Sequence, residues 1–148
     1  MRARHQARIV ALQALYEIDC TQHAPALVLE QRFLATQLPK ATAAFTHHLV
    51  DGVLKHQAVL DMFIHRHAPE WPLEQMAYID RNILRVAIFE FAIDGQTPVK
   101  VAINEAVELA KSFGSDSAPR FVNGVLGTLV EHRGAIAQAV KDVERDEQ

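Results

Sequence analysis

Basic residues gather at the beginning of this chain, in a pattern suited to binding an anion. The first 16 residues contain Arg2, Arg4 and Arg8 but no acidic residue. The rest of the chain carries the other 12 of the 15 basic residues and all 18 acidic residues. A guanidinium can donate two parallel hydrogen bonds to a phosphate, so this end favours a phosphate-bearing partner. Composition leaves a second interpretation open, in which the arginines only keep a terminus solvated.

A second anion-binding position is predicted at the turn that holds Ser115 and Ser117, just before a predicted helix. Free backbone N–H groups at a helix N-terminus attract anions, and the serine hydroxyls lie beside them. Lys111 and Arg120 flank this turn. Phe121 follows Arg120 and could stack on an unpaired base, although a position in the core is the simpler interpretation of this residue.

The eight histidines and the single cysteine form no recognisable metal site in the sequence. The closest histidine pairs are His47-His48 and His65-x-His67, and neighbours one or two apart on a helix point in different directions. One thiolate, from Cys20, cannot build a zinc site. Glycine-rich phosphate loops and Gly-x-Ser-x-Gly turns are also missing. The sequence therefore predicts neither a metal nor a cofactor.

Glu105 and Glu108 are a carboxylate pair whose spacing could serve proton transfer. They are three residues apart on a predicted helix, so they lie on neighbouring faces. A solvated face, with Lys111 three residues after Glu108, is the simpler interpretation. We therefore predict that the chain is not an enzyme.

Apolar residues recur at three- and four-residue intervals, which predicts an all-α protein, a single-domain bundle of six or seven helices. The predicted helices cover about 3–19, 25–38, 41–67, 80–93, 98–113 and the residues after 117, with a last amphipathic segment after Gly134. Asp80 is predicted to cap the fourth helix and Gly95 to end it. This helix is apolar almost all round, which predicts a central, buried position. Gly124 and Gly127 are predicted to lie where another helix packs closely.

The composition is that of a soluble globular protein, with 49% hydrophobic and 22% charged residues. Residues 1–133 are predicted to form the main domain, and residues 134–148 a C-terminal helical extension with an acidic tail. No apolar run approaches the ~18 residues that a membrane helix needs, and no secretion signal is recognisable. With one cysteine the chain has no internal disulfide, so we expect a cytoplasmic protein.

Three stretches of the chain resemble the NusB family. They are RHQARIVALQALYEID from Arg4, DRNILRVA from Asp80, and PVKVAINEAVELAKSFG from Pro98, which is followed by RFVNGVL from Arg120. Their order and spacing hold over roughly residues 4–130. The last stretch is far more specific than a generic amphipathic helix.

The resemblance implies a helical fold of two packed sub-bundles with no catalytic activity. It implies binding of the single-stranded boxA element of nascent ribosomal RNA, together with the small-subunit ribosomal protein that acts as NusE. Through these contacts the family joins RNA polymerase and supports transcription antitermination. The family's RNA contacts correspond here to Arg4, His5, Arg8, Ser117, Arg120 and Phe121, with Arg2 as an addition. Lys111 joins this predicted set because it flanks the same turn. Its partner face corresponds to Asp80, Arg81 and Arg85.

One departure from the family pattern lies in the first helix. His5-Gln6 stands where the family often has consecutive arginines, so fewer fixed charges are available to attract phosphates. Two other classes stay open: a NusB-like RNA-binding module of an RNA methyltransferase, and a homodimeric helical structural protein.

Overall fold

The computed structural model describes residues 2–68 and 75–147, and of Arg2 only the backbone. The regular structure of these residues is eight α-helices and one π-helical segment, Phe89–Asp94. The helices are α1 (Arg2–Thr21), α2 (Pro25–Ala35), α3 (Lys40–Lys55), α4 (Gln57–His67), α5 (Tyr78–Ile88), α6 (Val99–Phe113), α7 (Ala118–Val130) and α8 (Arg133–Asp146). The predicted all-α fold is confirmed, with one helix more than the upper prediction.

Helix α5 lies at the centre of the molecule. Its residues from 82 to 88 are all buried, and it packs against α1, α3, α4, α6 and α7. Helices α1, α2 and α3 form one sub-bundle, and α4, α5, α6 and α7 form the other. The apolar character predicted for this segment therefore reflects a helix that is surrounded by others.

The extra helix arises because the predicted third helix is two helices. His56 has φ −106° and ψ 14°, which ends α3, while its N–H still donates to the carbonyl oxygen of Gly52. Buried residues continue on both sides of the break, from Val53 to Leu60 and Phe63. Apolar spacing alone therefore could not reveal the break.

The start of α5 also differs from the prediction. Ala77 precedes the helix, and Asp80 lies within its first turn rather than at its cap. Asp80 Oδ1 is buried and accepts no hydrogen bond from the described residues. The helix break predicted at Pro69–Pro72 lies outside the described residues, as does the beginning of the turn predicted after it.

The chain passes from α5 into the π-helical segment without a loop. This segment ends at Gly95, as predicted, where a φ of 71° suits glycine and the N–H donates to the carbonyl oxygen of Glu90. A π-helical turn contains an extra residue, which rotates the following side chains relative to the α-helical pattern. Glu90 and Phe91 are both buried.

Close packing at glycine occurs elsewhere than predicted. A Cβ atom added to Gly124 or Gly127 would meet nothing within 4 Å, so the prediction that these residues permit helix packing is wrong. The tight positions are Gly52, where a Cβ would lie 2.1 Å from the Phe89 ring, and Gly114, where it would lie 2.6 Å from the Cβ of Ala118.

Helix α8 packs against the π-helical segment and α4 through Ile136 and Val140. The boundary between residues 133 and 134 falls within the first turn of this helix, and a separate C-terminal unit stays a prediction. None of the described helices is long and apolar enough to span a membrane.

Candidate nucleic-acid interface

Arg8, predicted to contact RNA, lies inside the protein. Its side chain is 4% exposed, and Nε and Nη2 donate to the two carboxylate oxygens of Glu90 at 2.9 and 2.8 Å. Glu105 Oε1 lies 3.4 Å from Nη1 of the same guanidinium. Burial alone would lower the pKa of Arg8, but the hydrogen bonds and charge of Glu90, with the charge of Glu105, raise it. This placement opposes direct RNA contact and gives Arg8 a structural role.

Glu90 is positioned for this pair by the π-helical segment. Its side chain is 1% exposed, and one of its oxygens also accepts a hydrogen bond from Thr97 Oγ1 at 2.8 Å. A buried carboxylate needs both charge compensation and hydrogen bonds, and Glu90 has both. The cluster ties α1 to the segment that leads into α6.

His5 lies one turn earlier on α1, beside the same cluster. Its Nδ1 is 2.7 Å from Oε2 of Glu105, and the two side chains are 29% and 21% exposed. Glu105 therefore contacts both His5 and Arg8, which offsets positive charge on this part of α1. The sequence did not reveal this carboxylate as a partner of α1 because 100 residues separate it from His5.

Arg4 is arranged differently from Arg8. It is exposed, and its guanidinium carbon lies 4.2 Å from the centroid of the Phe45 ring on α3. Within the part of the chain that the structure describes, no carboxylate pairs with Arg4. Arg4 therefore presents its charge to solvent. The position of the Arg2 side chain is outside the described residues.

The turn between α6 and α7 has fewer free donors than predicted. Ser117 makes no side-chain cap; its hydroxyl lies 3.4 Å from that of Ser115. The N–H of Ala118 donates to the carbonyl oxygen of Ser115, and Pro119 has no N–H to offer. The anion attraction of this helix end is thus smaller than a fully open N-terminus would give.

The two basic residues flanking the turn differ from each other. Lys111 Nζ lies 3.3 Å from Glu108 Oε1, an exposed pair that partly offsets its charge. Arg120 is exposed and has no carboxylate partner among the described residues. Phe121 is half-buried and packs against the core, which supports the simpler interpretation, and its stacking on a base stays a prediction.

Phe121 also lines a cleft of about 430 Å³ between the N-termini of α5 and α7. The other lining residues include Met76, Ala77, Asp80 and Ala118. Burial raises the pKa of Asp80. The cleft is therefore mainly apolar, with one poorly solvated carboxyl group in its wall.

Helix α6 runs from the N-terminal part of α1 to this turn. Glu105, Glu108 and Ser112 are three and four residues apart, so they lie along one face of α6. The rise of an α-helix separates Glu105 from Ser112 by about 10 Å. The two predicted regions are therefore joined by one helix face, but that face carries two carboxylates rather than a continuous row of basic side chains.

The predicted partner residues are engaged with carboxylates of this chain. Arg81 donates to both oxygens of Asp19, at 2.7 Å from Nε and 2.6 Å from Nη2. Arg85 is buried and donates from Nε and Nη2 to Asp61 at 2.7 and 2.9 Å, with Nη1 3.1 Å from Asp19. These pairs join α5 to α1 and α4. Partner contact by the Arg85 guanidinium would require it to leave them.

Sequence reasoning missed two side chains next to Arg4. Phe45 and His48 stack on one another with ring centroids 6.5 Å apart, and His48 Nε2 lies 2.9 Å from Oδ1 of Asp94. Phe45 is half-buried and packs against the core. Its three-residue spacing from an exposed histidine was a signal for an aromatic surface.

The described residues include no group of three or more histidine, cysteine or carboxylate side chains that could hold a metal ion. The ring of His56 is half-buried and lies 6.2 Å from that of Phe89 in a stacked arrangement. Burial and the charge of Lys55 lower the pKa of His56.

Comparisons with known proteins give one consistent result. The NusB family model matches residues 5–131. A transcription antitermination protein NusB from Chloroflexus aggregans is 51% identical over 129 residues, which are 86% of each chain. A NusB structure from T. maritima superposes with a TM-score of 0.78 at 27% identity, covering 91% of this chain and 90% of the other. A structure of antitermination factors NusB and NusE in complex with dsRNA gives 0.80 at 26% identity, covering 94% and 98%. This chain therefore belongs to the NusB family.

Proposed function

We propose that this chain is an RNA-binding transcription antitermination factor. It binds the boxA element of nascent ribosomal RNA together with the small-subunit ribosomal protein that acts as NusE, and it reaches RNA polymerase through that assembly. The family match over residues 5–131 is the observation that carries the proposal. We infer a cytoplasmic location, because this role brings the chain together with nascent RNA and a ribosomal protein.

The RNA face consists of the exposed N-terminal end of α1 and the turn before α7. Arg4 and Arg120 supply the charge, because no carboxylate of the described residues pairs with either. His5, Ser117, Lys111 and Phe121 add polar and aromatic contacts, and Arg2 remains a candidate from the sequence. Arg8 is left out of this set because its guanidinium is occupied by Glu90.

This arrangement predicts weak RNA binding by the chain alone. Each phosphate contact to a single strand contributes about 0.7 to the slope of log K against log salt. Two free guanidiniums therefore give a slope of about −1.4, smaller than that of strongly basic RNA-binding proteins. A basic ribosomal protein bound beside this surface supplies the additional positive charge.

The partner face lies at the beginning of α5. Tyr78 is exposed, and the guanidinium carbon of Arg81 lies 4.1 Å from the centroid of its ring. Asp19 accepts two hydrogen bonds from Arg81, so Arg81 and Tyr78 form a preorganised surface for a protein. Asp80 lies in the adjoining turn.

Binding rather than catalysis is the activity that these side chains support. Glu105 is held by His5 and Arg8, and Glu108 pairs with Lys111. Neither carboxylate has the isolated, poorly solvated setting that tunes a group for proton transfer. The function is therefore assigned to surfaces and not to a reaction centre.

A fluorescence titration of single-stranded boxA-type RNA, repeated at several salt concentrations, tests this proposal. Arg4→Ala and Arg120→Ala should each reduce the salt slope by about 0.7 and weaken binding. Arg145→Ala on α8 is the matched control, because Arg145 is exposed and pairs with Asp142. The wild type should bind more tightly once the ribosomal protein is added. The proposal would be refuted if the wild type bound boxA-type RNA no more strongly than an unrelated RNA, both with and without the ribosomal protein.

A further inference from the structure

The first turn of α1 and the middle of α3 form a row of three flat side-chain groups. The guanidinium of Arg4 lies 4.2 Å from the ring centroid of Phe45. The ring of Phe45 stacks on that of His48 with a centroid distance of 6.5 Å and an interplanar angle of 29°. Arg4 and His48 are exposed, and Phe45 between them is half-buried.

The contact with Phe45 restricts Arg4 without neutralising it. A guanidinium on an aromatic face is attracted by the ring quadrupole and keeps its charge and its N–H groups. Arg8, one turn further along α1, is 5.4 Å from the same ring but is fixed by Glu90. Phe45 therefore contacts two cations, of which only Arg4 faces solvent.

The Arg4 guanidinium lies over the Phe45 ring and is exposed, so its solvent side is available to another planar group. Unpaired RNA bases are recognised by stacking on aromatic rings and on arginine planes. His48 offers a further planar surface. Its Nε2 lies 2.9 Å from Oδ1 of Asp94, and this hydrogen bond orients the ring. A phosphate contact would use the charge and the N–H groups of Arg4, whereas only a base would also contact the plane of His48.

We propose that Arg4, backed by Phe45, forms a stacking platform for one unpaired base of the bound RNA, and that His48 extends the platform along α3. The proposal rests on the proposed RNA-binding function and assigns to Arg4 a base contact in addition to phosphate attraction. Phe45 is a positioning residue, because it acts on RNA through Arg4. The RNA strand thus crosses from α1 onto α3.

Arg4→Lys tests the platform, because lysine retains the charge but not the plane. The full-length chain is titrated with single-stranded boxA-type RNA and with a series of RNAs in which each nucleotide in turn is abasic. We expect Arg4→Lys to weaken binding five- to tenfold while the salt slope stays at the wild-type value. For the wild type, removing the base at one position of the RNA should weaken binding by a similar factor. For Arg4→Lys, removing the same base should weaken binding no further.

Two further variants keep the test decisive. Phe45→Leu should lower affinity as Arg4→Lys does, and urea unfolding of this variant separates that effect from lost stability. Arg145→Lys is the control, since Arg145 is exposed on α8 and should leave every titration unchanged. If Arg4→Lys binds like the wild type and shows the same sensitivity to every abasic position, the platform does not exist. If the wild type itself does not prefer boxA-type RNA, the proposed function fails instead.

Discussion

Arg8 and Glu90 form a two-point ion pair in the interior of the protein, although 82 residues separate them in the chain. Arg8 belongs to α1 and Glu90 to the π-helical segment, so the pair connects the first helix to the second sub-bundle. Thr97 and Glu105 complete the set of groups around it. The pair therefore fixes the position of the α1 turn that presents Arg4 and His5.

Arg8→Met should strongly destabilise the fold. Removing one member of a buried ion pair leaves an uncompensated charge, which costs about 3–5 kcal/mol. Urea unfolding measures this loss. Arg4→Met is the control, because Arg4 is exposed and pairs with no carboxylate of the described residues; its effect should stay within about 1 kcal/mol. A loss of less than 1 kcal/mol for Arg8→Met would contradict the arrangement described for Glu90.

A second variant separates the charge from the packing at this position. Arg8→Met combined with Glu90→Leu removes both charges and leaves apolar side chains of similar length. Replacing a whole buried ion pair in this way is often neutral or stabilising. We expect the double variant to recover most of the stability that Arg8→Met loses. Losses that simply add would show that the two side chains do not interact.

Asp19 makes the fold sensitive to acid. Burial alone would raise the pKa of Asp19, but hydrogen bonds from Arg81 and Asn82 and the charges of Arg85 and Arg81 outweigh it and lower the pKa. A carboxyl whose folded pKa is lowered stabilises the protein above its unfolded pKa of about 3.9, and this contribution disappears as the pH falls through the folded pKa.

Asp19→Asn should therefore cost about 1.5–3 kcal/mol at pH 7, the range for hydrogen bonds to charged groups. The difference in unfolding free energy between wild type and variant should shrink below about pH 4, as the wild-type carboxyl takes up its proton. Unfolding measured at several pH values tests both statements. A difference that stays constant down to pH 2 would exclude a lowered pKa at Asp19.

The contribution of Asp80 to stability should change with pH in the opposite direction to that of Asp19. Burial raises its pKa, and Oδ1 has no hydrogen-bond partner among the described residues. As the pH rises from the unfolded pKa to the raised folded pKa, the unfolded state loses its proton first, so the folded state loses stability. A buried polar atom without a partner costs about 1–3 kcal/mol, more than the 0.3–1 kcal/mol that a first-turn carboxylate gains from the helix dipole.

Asp80→Asn keeps a polar atom at this place but removes the charge, whose burial costs most, so it should raise the unfolding free energy at pH 7 by about 1 kcal/mol. It should also abolish the fall in stability that the wild type shows above about pH 4. Asp116→Asn is the matched control, since Asp116 is an exposed aspartate in a turn. A destabilised Asp80→Asn variant would mean that the carboxylate has a favourable partner.

The helical architecture could be predicted from the sequence because apolar spacing is a local property. Spacing correctly identified α5 as a buried helix and Gly95 as the end of the helical run. It could not separate α3 from α4, since the buried side chains continue across His56. Local pattern determines which face is apolar, whereas the direction of the following helix depends on packing that is distant in sequence.

The site was less predictable because charge pairing is a long-range property. Arg4 and Arg8 are four residues apart and share a helix face, so the sequence treats them alike. Glu90 distinguishes them, and its only signal was a charge within an otherwise apolar helix. A glutamate is almost never fully buried without a partner, so the sequence could have predicted a basic partner for Glu90. It could not have shown that this partner is Arg8.

The glycines of α3 and α7 should respond in opposite directions to the same substitution. Gly124 lies in an exposed helix interior where a Cβ meets nothing within 4 Å, so Gly124→Ala should stabilise the protein by about 0.8–1 kcal/mol. In Gly52→Ala the new Cβ would lie 2.1–2.7 Å from the buried ring of Phe89, and overpacking of this kind costs about 1–3 kcal/mol.

Thermal and urea unfolding of the two alanine variants, measured side by side, distinguish these effects from helix propensity. Propensity acts equally at both positions, so any difference between the variants reports the contact with Phe89. Combining Gly52→Ala with Phe89→Leu should relieve part of the clash, because a smaller side chain leaves room for the Cβ. If Gly52→Ala is as stabilising as Gly124→Ala, the ring of Phe89 moves away freely and does not hold α3 against the π-helical segment.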